Sequence, residues 1–407
     1  MRICIVIPYN VVESHHGNAI RVMNLIQFLS RRHKLTVLMY DLFNKRRGLK
    51  SQKIDSYFLS VDLWITFASF FSKNFLKASS FDLLSSTFPP SYKFKSTLNK
   101  ILEKNNIDIL QCENAWTVSN SITPARNKGI PVIATLHDVL SERVPQLCKS
   151  LNTPQIIAKK LISKTKDFEL KAINQTDMNA CVSEEDIKTF TSLGCDPQKF
   201  IVIPNGVDTK LFRPMYKNHD LLRKLKLLDA NPIILFAGSD MYQNRIAVNE
   251  IITKILPNLI KTSKDAKILI IGTIGKYLNK LLQKVPSISK YLISIGYVKE
   301  ILPYYSISDV VILPLNFGTG TKLKMLEAMA AGKAIISTNI GAKGIKQIVE
   351  KSVIIEDNLQ YYYRHIKGIT ENEEYKTELE KKSRTTALQY DWRNIAVMYD
   401  KLYRKIT

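Results

Sequence analysis

Apolar residues along this chain of 407 residues alternate between two kinds of run. Short stretches at Arg2–Ile7, Leu35–Met39, Asp108–Cys112, Ile130–Thr135 and Asp177–Val182 are mostly apolar, and they predict buried strands. Between them, apolar residues recur three and four apart. Asn18–Arg32 places Ile20, Met23, Leu25, Ile26 and Leu29 on one face, and a helix follows at Leu98–Lys104. Gln155–Ala172 reads as a long amphipathic helix, with five lysines covering the faces that Ile156, Ile157, Leu161, Phe168 and Ala172 leave open. The same alternation resumes after Pro214. Strands are expected at Pro232–Gly238, Ala266–Ile271, Leu292–Tyr297, Val310–Leu313, Ala334–Ile336 and Ser352–Ile355. Helices are expected at Ile246–Ile260, Ile301–Ser306, Lys322–Ala331 and Ala387–Tyr403. Strand and helix in turn is the signature of parallel sheets joined by crossover helices, so the fold class is α/β. Residues 41–95 resist this reading. Tyr57–Leu76 carries seven aromatic residues in no clean period, either a helix hairpin against a sheet or an aromatic edge at an interface.

Length divides the pattern in two, because a single core rarely organises so long a chain. Phe200–Pro214 (FIVIPNGVDTKLFRP) is punctuated by Pro204, Asn205-Gly206 and Pro214 and reads as a crossing between domains. The expected organisation is a first domain over 1–204, a linker over 205–214, a second domain over 215–386 and a closing helix over 387–407. Ser183 with Asp186 three residues on predicts a helix cap.

Charge changes the picture more than composition does. With 59 Lys and Arg against 36 Asp and Glu, the formal charge is +23. No nucleic-acid-binding module pattern accompanies it, and the lysines are spread over helices. That leaves a lysine-rich background, acidic small molecules or an anionic membrane surface, where Lys and Arg gain roughly 1 kcal/mol each. Lys45–Lys50 forms one short basic cluster. Cys4, Cys112, Cys148, Cys181 and Cys195 lack paired metal-ligand spacing; those in or beside buried strands predict small core residues in a reducing cytoplasm. The N-terminal apolar stretch is too short for an export signal, and no uncharged span of about 18 residues exists, so no transmembrane helix is expected.

The densest candidate chemistry is Pro314–Gly332, PLNFGTGTKLKMLEAMAAG. Strand, glycine turn, helix and strand follow one another there, with the glycines where backbone must come close to something. N–H groups at a helix start, with Lys322 and Lys324 beside them, favour a phosphate. Glu327 stands in an otherwise apolar turn, where an unpaired carboxylate is expensive. A basic loop with a salt-bridged Glu would give the same residues. In the first half, Arg2–Ile7 and Asn18–Arg32 begin a strand-helix-strand unit without the G-x-G-x-x-G fingerprint, so a tightly held dinucleotide is not expected. His15 and His16 stand in a loop before Gly17, where they can face solvent, and two histidines alone make no metal site. His137 follows a strand end, where open α/β sheets bind ligands.

These residues resemble the retaining glycosyltransferases of family 4. Two stretches carry the resemblance most strongly: 200–214, similar to a P-N-G-V-D-x-x-x-F-x-P connection, and 310–345. The resemblance implies GT-B architecture, two facing Rossmann-like domains with a C-terminal helix crossing back to the first. It implies that Glu327 binds the ribose of a nucleotide sugar and that Gly318, Thr319, Gly320 and Thr321 lie against sugar and diphosphate. Most members carry a further glutamate where this chain has Thr319, and the chain is similar to a subgroup with a G-x-G-T-[RK]-L-K turn that lacks it. Members more often place Arg and Lys after the first strand of the second domain. Here Gly238-Ser239 resembles a G-S-x-x-x-x-N variant, and the diphosphate would fall to Lys322 or Lys324, with Arg245 as runner-up. Val298 is the expected backbone contact to the base, His137 would face the donor sugar, and Gly17 with its histidines would form part of the cleft wall.

The function implied is transfer of a hexose from a UDP- or GDP-sugar to a hydroxyl of a glycan or lipid-linked acceptor in cell-surface polysaccharide or glycoconjugate synthesis. No cofactor and no metal are implied, and no Asp-x-Asp pair offers a magnesium clamp. Partners would be the nucleotide sugar, the acceptor and an anionic inner-membrane face, with no nucleic acid. The alternatives are a nucleotide-sugar 2-epimerase of the same fold and a binding protein that has kept the cleft without catalysis.

Overall fold

The computed structural model describes residues 1–12, 17–41, 49, 53–60, 92–318 and 320–407. His15, His16, Thr319, the Lys45–Lys50 cluster apart from Leu49, and the aromatic stretch beyond Ser60 lie outside the described residues. The chain separates into two compact units, one made of Met1–Asn205 with Trp392–Thr407 and the other of Gly206–Asp391.

Unit 1 is built on a parallel sheet. In chain order its strands are β1 (Arg2–Ile7), β2 (Lys34–Asp41), β3 (Ile54–Ser60), β4 (Ile109–Glu113), β5 (Val132–Leu136), β6 (Met178–Cys181) and β7 (Phe200–Val202). They lie side by side as β3-β2-β1-β4-β5-β6-β7. All pairings are parallel, with Ile5 of β1 between Val37 of β2 and Gln111 of β4. The order reverses between β1 and β4, and their carboxyl ends define the crevice where such sheets take ligands. β1, β4 and β5 are buried almost end to end, the burial that their mostly apolar runs predicted. One strand was not foreseen. Ile54–Ser60 pairs with β2 at the sheet's edge, so Tyr57 and Phe58 belong to a strand and not to a helix hairpin.

Unit 2 repeats the plan with β8 (Ile233–Ala237), β9 (Lys267–Ile271), β10 (Leu292–Gly296), β11 (Val310–Leu313), β12 (Ala334–Ser337) and β13 (Ile354–Ile355), ordered β10-β9-β8-β11-β12-β13. Here the reversal falls between β8 and β11. Apolar clusters fill both faces of the sheet.

Two expected helices are redrawn. The one expected at Ile246–Ile260 starts at Tyr242 and runs to Thr262 through a wider π turn at Ile251–Ile255. Pro257 explains the change: it has no N–H to continue the ladder, and its ring crowds the carbonyl four residues back. The single helix expected at Ala387–Tyr403 is two, Glu373–Gln389 in unit 2 and Trp392–Ile406 in unit 1. The break falls at Tyr390-Asp391, where the Asp391 carboxylate accepts from the backbone N–H (3.3 Å) and the hydroxyl of Thr209, and Val207 N–H donates to Tyr390 O at 2.8 Å. Trp392, Ile395, Ala396, Tyr399, Leu402 and Tyr403 form the buried stripe of the last helix, which packs on helix Gly17–Leu29. Ser183 Oγ accepts from Asp186 N–H at 3.2 Å, closing the predicted cap. All five cysteines are free and buried.

Candidate donor and acceptor sites

In unit 2, β11 leads into the glycine turn. Gly318 and Gly320 have φ of +119° and +67°, in the left-handed region that side chains disfavour. A Cβ on Gly318 would stand 3.2 Å from Lys322 Nζ, so the bare backbone lets the ammonium lie across the turn. Lys322 Nζ also donates to Gly320 O at 2.9 Å. Lys322 is the extended residue before helix Leu323–Ala330 and not its first turn, and no side chain caps that helix start. Met325 N–H donates to Lys322 O at 3.0 Å, and the partial positive charge of the helix start suits an anion.

Lys324 is held differently. Its Nζ donates to Ala237 O, at the end of β8, at 3.0 Å and to Asn244 Oδ1 at 2.9 Å, and it sits 4.7 Å from the centre of the Phe236 ring. Burial and the neighbouring Lys322 push its pKa down to about 7, opposed by Glu327. Glu327 is pushed up to about 7 by burial, opposed by Lys324. Both side chains remain half-buried, open enough for a ligand to reach. An arriving anion favours charged lysine, and hydroxyl donors favour charged Glu327.

Asn244 is the residue that sequence reasoning passed over. It is the last position of the G-S-x-x-x-x-N pattern, and the whole pattern was legible without a role for it. Its side chain is buried, Nδ2 donates to Ser239 O at 2.8 Å, and a Cβ on Gly238 would press within 2.9 Å of its Cγ. Gly272, at φ +106°, brings the β9 turn against Gly238 O, where a Cβ would overlap that oxygen. Arg245 lies beside these residues but is already neutralised. Its Nε and Nη2 grip Asp240 at 2.6 and 2.9 Å, holding the Asp240 carboxyl below its usual range, and the guanidinium lies over Tyr277. Thr321 is buried in the turn beside Gly320, whereas Val298 is half-buried after β10 and packs on the core.

In unit 1, Gly17 is the exposed first residue of its helix and not the end of a loop. His137 follows β5 as expected, but its side chain is only 2% exposed and turns inward. Its Nε2 lies 2.7 Å from Oε2 of Glu113, the last residue of β4, which is fully buried. The approach is off the N–H line, and neither of these two atoms makes a hydrogen bond. Gln111 Nε2 donates to Glu113 Oε1 at 2.6 Å, and Tyr403 on the last helix donates its hydroxyl to Gln111 Oε1. Nearby, the buried Arg21 guanidinium donates to Asn205 Oδ1, to Ile203 O at 3.1 Å and to Tyr399 Oη at 3.1 Å. Burial and Glu113 push the Tyr9 hydroxyl pKa well up, against the pull of Arg21. Asp138 pairs with Arg143 at 2.8 Å, and Glu169 accepts from Leu140 and Ser141 N–H at 2.7 and 2.9 Å. Those contacts fix the segment after His137. Glu113 escaped notice because the expected strand stopped one residue short of it. Polar Gln111 and Glu113 two apart in an apolar strand was the available signal, since alternate residues share a face.

Among the described residues, no three His, Cys, Asp or Glu side chains are grouped to hold a metal ion. No described helix is long and apolar enough to cross a membrane.

Two family models match the chain, one in each unit. Residues 16–211 match Glycosyltransferase Family 4 and residues 231–372 match Glycosyl transferases group 1. With the two parallel α/β sheets, these matches make the chain a glycosyltransferase of GT-B fold. Among curated relatives, the Escherichia coli UDP-Gal:alpha-D-GlcNAc-diphosphoundecaprenol alpha-1,3-galactosyltransferase is 29% identical over 251 residues, which are 60% of this chain and 61% of that one. The Campylobacter jejuni N,N'-diacetylbacillosaminyl-diphospho-undecaprenol alpha-1,3-N-acetylgalactosaminyltransferase is 22% identical over 316 residues, 76% of this chain and 80% of that one. The crystal structure of Anabaena HepE in complex with UDP shares the fold, with a TM-score of 0.74 at 12% identity over the full length of both chains.

Proposed function

We propose that this chain is a retaining glycosyltransferase that moves a hexose from a UDP-sugar to a hydroxyl of a lipid-linked glycan. The observation that carries the reading is the cluster of Lys322, Lys324 and Glu327 around a helix start and a left-handed glycine turn. A nucleotide sugar has the matching chemistry. Its ribose hydroxyls donate to the Glu327 carboxylate, and its diphosphate accepts from the lysines and the leading helix N–H groups. Uridine is chosen over guanosine because the E. coli relative is named for UDP-galactose and HepE was solved with UDP. The lipid-linked acceptor follows from the undecaprenol-linked saccharides in both relatives' names.

In the transfer, the acceptor oxygen bonds to the anomeric carbon as the bond from that carbon to the diphosphate oxygen breaks. The acceptor proton passes to the leaving phosphate oxygen. Lys322 and Lys324 stabilise the charge that grows there, the work a divalent cation would otherwise do. His137 is given to the donor sugar, as a contact that strengthens while charge develops at the anomeric carbon. The test is incubation with UDP-hexoses and an undecaprenyl-diphosphate-linked saccharide, with product linkage read by NMR. Release of UDP only with acceptor present, and an α-linkage from an α-linked donor, is the expected result. Conversion of the donor sugar without acceptor would instead mark a 2-epimerase.

The acceptor also gives the basic surface a use. Lys159, Lys160, Lys164, Lys166 and Lys171 are all exposed on helix Gln155–Asn174, and Ile156 beside them is 86% exposed. Such a face suits an anionic lipid headgroup layer with an apolar side chain entering the interface. Flotation with anionic but not neutral vesicles, weakening as salt rises, is expected; absence of binding to either at low salt would leave an enzyme that meets its acceptor without a membrane.

A further inference from the structure

We infer that Asn244 is the positioning residue for Lys324, holding its ammonium on the diphosphate of the nucleotide without neutralising it. The inference rests on the nucleotide-sugar reading of unit 2.

An ammonium has three N–H donors. Two of those on Lys324 are spent, on Ala237 O and on Asn244 Oδ1. The third meets no acceptor among the described residues. The two acceptors are fixed in different ways. Ala237 O belongs to the last residue of β8 and moves only with the sheet. Asn244 is a side chain near the start of helix Tyr242–Glu250, and its orientation is fixed by its own second contact, from Nδ2 to Ser239 O. The amide thus spans the turn after β8, with one end on backbone and the other on Lys324. Gly238 is part of the same construction, because any side chain there would drive into the amide.

The chemistry of the amide matters as much as its position. A carboxylate in its place would accept the same hydrogen bond but would supply the counter-charge itself, competing with an incoming phosphate. A hydrocarbon would leave a long, flexible side chain to find its own place, with the entropy loss that implies on binding. A neutral acceptor orients the lysine and leaves its charge to be matched by the ligand. Arg245 on the same helix shows the opposite arrangement, since Asp240 already supplies its counter-charge.

The experiment is a double-mutant cycle on the full chain, with UDP, UMP and uridine binding measured by calorimetry for Asn244→Ala, Lys324→Met and the double variant. Asn244→Ala is expected to weaken UDP about tenfold while uridine changes by less than twofold, and the double variant to bind UDP no worse than Lys324→Met alone. Equal loss for UDP and uridine, or additive losses in the double variant, would overturn the positioning role. Asn244→Asp guards against a folding artefact: it keeps the hydrogen bond and the volume, and it should weaken UDP through its charge while uridine still binds normally. Normal UDP binding by Asn244→Asp would equally overturn the inference. An unchanged UDP affinity in Lys324→Met would remove the lysine from the nucleotide site itself, a failure of the functional reading and distinguishable from the others.

Discussion

The two sheet ends carry their charges in opposite ways. In unit 1 the charged groups are held by contacts within the unit: Glu113 is fully buried, accepts from Gln111 and lies against His137, while Arg21 donates to Asn205, Ile203 and Tyr399. In unit 2 two lysines stand near one carboxylate, half-buried, and burial pushes both Lys324 and Glu327 toward neutrality. The first arrangement turns its charged groups inward, away from solvent. The second is rich in positive charge, which suits the diphosphate of the proposed donor. Buried charged groups held by contacts within the fold are oriented by them, whereas a half-buried cluster of like charges favours an anionic ligand.

The contrast can be broken from either side, and the largest effect is expected at Glu327. Glu327→Gln should cost about 1.5–3 kcal/mol of donor binding, roughly 10- to 150-fold, with the fold intact, because a charged acceptor for two hydroxyls is replaced by a neutral one. Donor affinity and turnover both equal to the parent's would remove the ribose role. Next come the lysines. For at least one of Lys322→Met and Lys324→Met, nucleoside diphosphate binding should fall more than monophosphate binding; equal loss of both ligands would point to a structural role.

The same pair predicts a pH profile. Below about 7 Glu327 is protonated and cannot serve as a charged acceptor, so donor affinity should rise as pH climbs toward that value. Above about 7 Lys324 loses its proton, so diphosphate affinity should fall again. Titration of UDP affinity from pH 5 to 9 should therefore peak between the limbs. Lys324→Met should flatten the alkaline limb and move the acid limb to higher pH, because the ammonium no longer holds the Glu327 pKa down, and a flat parent profile would contradict the assignment.

The effect in unit 1 is of another kind. His137→Ala should lower turnover about tenfold while nucleotide affinity stays put, the signature of an interaction made in the transition state. Glu113→Gln should follow it, because an amide can donate to Nε2 and so favour the other imidazole tautomer. Saturating turnover equal to the parent's would return His137 to a purely structural place. Smallest of all is Arg245→Met, expected to change UDP affinity by less than threefold because its guanidinium is already paired with Asp240. A larger loss would show that the pair opens for the ligand.

What the sequence disclosed follows from what each pattern encodes. Strands that are apolar over nearly their whole length were legible because burial on both faces leaves no alternation to misread; β1 and β11 match their expected bounds residue for residue. The glycine turn was legible because left-handed backbone leaves a compositional trace. Helix Glu373–Gln389 left almost none: its faces are largely polar, and only Leu379, Ser383 and Ala387 are buried. Glu113 and Asn244 were hidden for a related reason. Each is a polar side chain whose importance lies in a contact with a residue far along the chain, His137 in one case and Lys324 in the other. Local periodicity reports burial and says nothing of such partners. The π turn was written in Pro257, but its exact span depends on how neighbouring turns relax around the missing N–H.

The split at Tyr390-Asp391 has a consequence for how such a protein is assembled and altered. The chain enters unit 2 at Gly206 and leaves it at Asp391, and these two crossings are stitched together by Val207 on Tyr390 and by Thr209 on Asp391. In topological terms unit 2 is a cassette whose two ends meet, inserted into a host that needs its own last helix back. Unit 2 could be exchanged for another such unit by two neighbouring splices, with no new linker to design and no reach to span. Truncation behaves differently: removing the last sixteen residues takes nothing from the cassette, yet it strips the host of Tyr399 and Tyr403 and so of the contacts behind Arg21 and Glu113.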